Sequence, residues 1–139
     1  MKISFCIITL NEEENLSRCL GSIAELADEI VILDSGSTDR TAEIARAHDA
    51  RFEVQPWLGY VGQKNAVLNR ATHDWIFSID ADEALSPELA AEIRQIKNSG
   101  PPADVSGYSM PRWVQYEGRW IRHGDWYPDR LTRLFRRDR

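Results

Sequence analysis

Residues Ile3 to Ile8 form a near-continuous apolar run. A strand with one wet face alternates apolar and polar side chains, so an unbroken run predicts a strand covered on both faces, as in the centre of a parallel sheet. Glu29-Ile30-Val31-Ile32-Leu33 repeats the pattern, Arg51 to Val54 gives a shorter third strand, and Asp74 to Ile79, with its apolar Ile76-Phe77-Ser78-Ile79, the fourth. Helical signals lie between them. Asn11 is expected to cap a helix with Glu14 three positions on, and Leu16, Cys19, Leu20, Ile23 and Ala27 fall at helical spacing. Ala42, Ile44 and Ala45 mark a second helix, residues 62–71 a third, and Leu89, Ile93 and Ile96 a fourth, stopped by Gly100-Pro101-Pro102. Strands alternating with helices predict a doubly wound α/β sandwich. Beyond Pro102 the pattern changes to β segments, Tyr108 to Val114 and Leu131 to Phe135, around an aromatic-rich loop.

In such sheets ligands bind beyond the C-terminal ends of the strands. Three predicted strand ends carry polar or acidic groups: Thr9-Leu10-Asn11-Glu12, Asp34, and Asp80-Ala81-Asp82-Glu83. Their coincidence at one sheet edge argues for one shared pocket. The last segment packs three carboxylates into four residues. Like charges this close repel, so a divalent cation is a natural counter-charge, and Asp-x-Asp at a strand end suggests Mg²⁺ or Mn²⁺ facing a phosphate-bearing ligand. Taken singly, each group has an ordinary explanation: acids cap helices, Asp34 could cap the helix that follows it, and Lys64 on a helix is commonly just solvated.

A chain of 139 residues is expected to form one domain, and no apolar run approaches the roughly 20 residues of a membrane span. The N-terminus lacks a small-residue cleavage site, which suits a first strand and a cytoplasmic protein. Cys6 and Cys19 read as buried free thiols. His48, His73 and His123 show no metal-ligand spacing, and Trp57 and Trp75 read as packing residues. The net charge of −5 hides an asymmetry: residues 1–100 hold 9 Lys+Arg against 17 Asp+Glu, residues 101–139 hold 8 against 5. Tyr108, Trp113, Tyr116, Trp120, Trp126 and Tyr127 fall in the basic part, which suggests a surface for something anionic, and the overall acidity argues against nucleic acid.

Together, Ile7-Ile8-Thr9-Leu10-Asn11-Glu12, Ile32 to Asp39, Gly62-Gln63-Lys64-Asn65-Ala66 and Asp80-Ala81-Asp82 resemble the ordered signature of family 2 glycosyltransferases with the GT-A fold. Gly124 to Asp129 and Arg133 to Arg137 are similar to the branch that includes lipopolysaccharide core glucosyltransferases. The resemblance implies a GT-A-type, Rossmann-like mixed sheet that transfers sugar with inversion. The donor would be a nucleotide-diphospho-sugar, usually UDP-linked, and the acceptor a glycan or glycolipid. Thr9, Asn11, Glu12, Asp34, Lys64 and Asp80 would contact the nucleotide, with Lys64 near the diphosphate, and Asp82 with Asp80 would hold the cation. Residues 1–100 would form the nucleotide-sugar part and 101–139 the start of the acceptor part of the same domain. Many relatives carry two adjacent acids where this chain has Asp34-Ser35, which leaves open which base is read. The family's catalytic base is expected beyond Arg139, as in a truncated enzyme. Asp129 is the one nearby acid that could substitute, although an Asp after Pro128 is also an ordinary turn former. Arg136 and Arg137 suit a peripheral contact with an anionic membrane face.

Two other classes compete. A non-catalytic module could keep the donor pocket alone. A receiver-type signalling domain shares size and acidic strand ends, but would need a lone phosphoacceptor Asp and a later Lys on another strand.

Overall fold

The computed structural model describes residues 1–112, 114–116, 119–121 and 129–137, with side chains for residues 1–110 and 132–137. The element order is β1 (Ile3–Thr9), α1 (Leu16–Ile23), β2 (Glu29–Asp34), α2 (Thr41–Ala47), β3 (Arg51–Val54), α3 (Tyr60–Asn69), β4 (Trp75–Ser78), α4 (Pro87–Ser99), β5 (Gly107–Arg112), β6 (Val114–Tyr116), β7 (Arg119–Ile121) and β8 (Asp129–Arg136). A six-stranded sheet runs β3-β2-β1-β4-β8-β5, and β6 and β7 form a separate two-stranded ribbon. The first four of these strands are mutually parallel, whereas β8 is antiparallel to both β4 and β5.

The apolar run of β1 is explained by what lies on its two faces. Ile3, Phe5 and Ile7 join Leu16, Leu20 and Ile23 of α1 and Ile93 of α4 in one core cluster. Cys6 turns to the opposite face, where Val31, Leu33, Ile76 and Val67 of α3 form a second cluster. A strand between two such layers has no wet face, so it cannot alternate. Phe5 pairs in register with Phe77 of β4, and their rings stack with centroids 4.9 Å apart. The edge strand β3 is short and half-exposed, and its Glu53 is paired with both Arg51 and Arg70 at 2.7 and 3.0 Å. Charge on a short edge is a usual defence against pairing with other chains.

Three sequence expectations, for Asn11, Trp57 and Tyr108, need correction, and so does the alternative that Asp34 caps a helix. Asn11 does not cap α1, which begins only at Leu16. It sits at φ 53°, in the left-handed region, and its Oδ1 accepts from Thr38 N at 2.9 Å. Asp34 does not cap α2, which begins at Thr41. It is Asp39 whose Oδ1 accepts from Thr41 N at 2.9 Å. Trp57 is not a packing residue, being 55% exposed beside the equally exposed Leu58. Tyr108 is not a surface aromatic: it packs partly buried against the core, 5.9 Å from the Trp75 ring. The side chains of Trp113, Tyr116, Trp120, Trp126 and Tyr127, and of His123, lie outside the described residues.

The expectations for the cysteines and for Trp75 hold. Cys6 and Cys19 are buried and unpaired with each other. Burial pushes both thiols up to about 12. Trp75 lies in the core at 7% exposure.

Candidate donor-binding site

The parallel register brings the C-terminal ends of β1 and β2 together, with Thr9 opposite Asp34. Thr9 Oγ1 donates to Asp34 Oδ1 at 2.6 Å, so two of the expected nucleotide contacts bind each other. Asp34 is 1% exposed. It also takes Ser37 Oγ at 2.6 Å, Ser37 N at 2.7 Å and Gly36 N at 2.8 Å. Gly36 sits at φ 117°, a conformation open to glycine that turns its N–H back onto the carboxylate. Burial alone would raise the Asp34 carboxyl, but the hydrogen bonds from Ser37, Thr9 and Gly36 outweigh it and hold it below the ordinary value. Asp34 therefore shapes the loop that follows β2.

The loop after β1 is stitched to the same loop. Asn11 N donates to Ser37 Oγ at 2.7 Å, Glu12 N to Thr41 Oγ1 at 2.9 Å, and Glu13 N to Asp39 Oδ2 at 3.2 Å. Asn11 is exposed and Glu12 half-buried, its Oε2 accepting from Asn15 Nδ2 at 3.3 Å.

Across β1, the end of β4 carries the acidic turn. Ile79 and Ala81 are 2% and 3% exposed and anchor it to the core, while Asp82 is exposed and Asp80 half-exposed. The counter-charge expected from a cation is supplied in part by the protein. Lys64 Nζ reaches Asp80 Oδ1 at 2.7 Å, and Arg133 holds both Glu83 oxygens at 2.8 Å. The Asp82 carboxylate has no hydrogen-bond partner among the described residues. Among those residues no three His, Cys, Asp or Glu side chains converge as a ready metal cage. The donor set nonetheless suits a hard cation: Mg²⁺ and Mn²⁺ are commonly held by one or two carboxylates plus substrate phosphates.

Lys64 comes from α3, whose start is built closely. A Cβ on Gly62 would come within 2.9 Å of Leu58 Cβ. Gln63, fully buried, takes Leu58 N on Oε1 and donates to the Gln55 carbonyl, each at 3.2 Å. That amide fixes the loop between β3 and α3, and Lys64 Nζ lies 5.6 Å from the Tyr60 ring centroid. Tyr60 and Val61 are 60% and 71% exposed, so an apolar rim borders the site.

Sequence reasoning gave Gln63 and Arg133 no role of their own, and it grouped Glu83 with Asp80 and Asp82 as cation-facing carboxylates, whereas Glu83 pairs with Arg133. Gln63 stood within the quoted motif, and its place between Gly62 and Lys64 was the available signal. The backbone of Asp129 opens β8 opposite Arg112 rather than forming a turn, and its side chain lies outside the described residues.

Residues 4–138 match the family described as Glycosyl transferase family 2. The chain belongs to this family. An uncharacterized glycosyltransferase of Rickettsia typhi is 42% identical over 84% of the chain and 40% of its own length. A lipopolysaccharide core biosynthesis glycosyltransferase of Rhizobium meliloti, LpsC, is 47% identical over 69% of the chain and 40% of its own length. The chain thus spans about 40% of the length of these curated relatives. Among solved structures, glucosyl-3-phosphoglycerate synthase of Mycobacterium tuberculosis, in complex with Mn²⁺, UDP and glucosyl-3-phosphoglycerate, is 30% identical. That match has a TM-score of 0.51 and covers 60% of this chain and 35% of that one. S. aureus TarS 1-349, in complex with UDP, superposes over 99% of this chain and 47% of that one with a TM-score of 0.63. At 18% identity it supports the fold alone. The mixed sheet with helices on both faces is the GT-A-type architecture expected of a family 2 glycosyltransferase.

Proposed function

We propose that this chain forms the donor-binding part of an inverting glycosyltransferase. The enzyme would move a sugar from a nucleotide-diphospho-sugar, UDP-linked, to a cell-envelope glycan or glycolipid such as lipopolysaccharide core. The observation that carries the reading is the convergence of Lys64, Asp80 and Asp82 at the sheet edge where the Thr9–Asp34 pair organises two loops. The mycobacterial relative with Mn²⁺ and UDP supports the donor, and LpsC supports the acceptor class.

In this reading Thr9 and Asp34 act by shaping the nucleotide loops, while Asn11 and Glu12 line their open side. Lys64 exchanges Asp80 for the diphosphate. Asp82, with Asp80, holds a divalent cation, which when bound neutralises charge developing on the leaving diphosphate. Inversion needs a base to take the acceptor proton; Asp129 is the candidate within this chain. The enzyme would work on the cytoplasmic side, in peripheral contact with an anionic membrane face when the acceptor is a glycolipid. No helix among the described residues is long and apolar enough to cross a membrane.

Calorimetric titration with UDP, GDP and ADP, each with Mn²⁺ and with chelator, tests the proposal. Cation-dependent binding of UDP above the others is expected, and no nucleotide binding under any condition would remove it. Sedimentation with anionic vesicles, abolished by salt, tests the membrane contact separately.

A further inference from the structure

The turn that carries Asp80 and Asp82 is held by a strand from the other end of the chain. Asp80 N donates to Glu83 Oε1 at 2.9 Å and Glu83 N donates to the Asp80 carbonyl at 2.9 Å, so the two residues close the turn reciprocally. The Glu83 carboxylate is itself fixed from β8. Arg133 Nη1 donates to Glu83 Oε1 and Nη2 to Oε2, both at 2.8 Å, and Nη1 also reaches the Ser78 carbonyl at 3.0 Å. Both side chains are largely shielded, 12% exposed for Arg133 and 21% for Glu83. A bidentate, part-buried pair of this kind fixes orientation as well as charge. From the other side, Arg18 of α1 donates to the Asp82 carbonyl at 2.9 Å.

We propose that Glu83 and Arg133 are positioning residues that set the direction in which Asp80 and Asp82 present their oxygens to a cation and its diphosphate. Arg133 touches neither carboxylate in the described contacts; it acts through Glu83, whose Oε1 fixes the Asp80 peptide. The inference rests on the reading of this turn as the cation-binding element. It also ties the acidic donor-side turn to a residue in the part of the chain first read as acceptor-binding, making the two parts one functional unit. Groups that orient metal ligands from behind typically change metal affinity by about 10- to 100-fold when removed.

The test uses the full chain with Arg133→Ala, Arg133→Lys and Glu83→Gln, and with Val31→Ala as a variant that weakens the cluster on the opposite face of the sheet from Ile79 and Ala81. Mn²⁺ affinity is read by paramagnetic resonance of free Mn²⁺ at saturating UDP, and UDP affinity is read separately in chelator. Arg133→Ala is expected to weaken Mn²⁺ by about tenfold or more, with Arg133→Lys recovering part of the loss, since one ammonium can still reach Glu83. UDP affinity in chelator, and Mn²⁺ affinity in Val31→Ala, should stay near the parent values. Amide exchange across residues 79–85 should rise in Arg133→Ala and not in Val31→Ala, a comparison that reads the turn directly. Parent-like Mn²⁺ affinity in folded Arg133→Ala would overturn the inference while leaving the functional proposal standing. Absence of Mn²⁺-dependent UDP binding in the parent would instead remove the functional proposal, and this inference with it.

Discussion

Lys64 Nζ lies 2.7 Å from Asp80 Oδ1, with 17% and 27% of the two side chains exposed. The ammonium thus engages one of the two carboxylate oxygens that Asp80 could offer a cation. In the proposed site a divalent cation would compete with Lys64 for that oxygen, and Lys64, once released from Asp80, would be free to meet a diphosphate. Lys64→Met should therefore tighten Mn²⁺ binding in the absence of nucleotide while weakening UDP binding. Opposite signs in the two titrations distinguish this exchange from simple damage to the site, which would weaken both. Removing the partner of a half-buried carboxylate should also cost about 1–3 kcal/mol of stability, measurable by urea unfolding.

Thr9→Val removes the hydroxyl bonded to Asp34 and leaves a buried carboxylate short of one donor. The expected loss is about 1.5–3 kcal/mol, because the bond is to a charged group. Thr9→Ser keeps the hydroxyl and should recover most of it. Equal unfolding midpoints for the two variants would refute the assignment.

The pH dependence follows from Asp34 being held below its usual value of 3.8 in the folded protein. Its stabilising contribution is complete above that pH and fades as pH falls through the lower folded value. Asp34→Asn should destabilise the protein at neutral pH, and the gap between parent and variant should narrow below about pH 4. Urea denaturation at a series of pH values from neutral to acid measures this gap.

Cys6 and Cys19 are buried, and with both thiols pushed up to about 12 neither forms thiolate readily near neutral pH. Iodoacetamide at pH 8 should leave both unmodified in native buffer and alkylate both in urea, as read by mass spectrometry. Rapid labelling in native buffer would show that the β1 or α1 packing opens.

The parallel half of this architecture was legible because its signals are local. The run at Ile3–Ile8, the polar strand ends at Thr9, Asp34 and Asp80, and the Lys64 motif all lie in segments whose period or punctuation points to one element. What was not legible depends on contacts that period cannot report. Asn11 has the composition of a helix cap, but the Thr38 and Ser37 groups compete for it from 27 and 26 residues away and draw it into the double loop. Trp57 reads as core by residue type, yet the loop held by Gln63 leaves it exposed. Arg133 and Glu83 are 50 residues apart, and only the antiparallel insertion of β8 brings them together.

That insertion also dictates an order of assembly. β5 is made before β8, yet its ladder partner is β8 and not β4. As a ribosome delivers this sequence, the parallel strands from β1 to β4 can pair while β4 keeps an open edge carrying Ile76 and Phe77, and β5 has nothing to dock against. An unpaired apolar edge invites association with other nascent chains. Because that edge of β4 is covered only when β8 has emerged, slow translation through residues 100–136 would prolong its exposure.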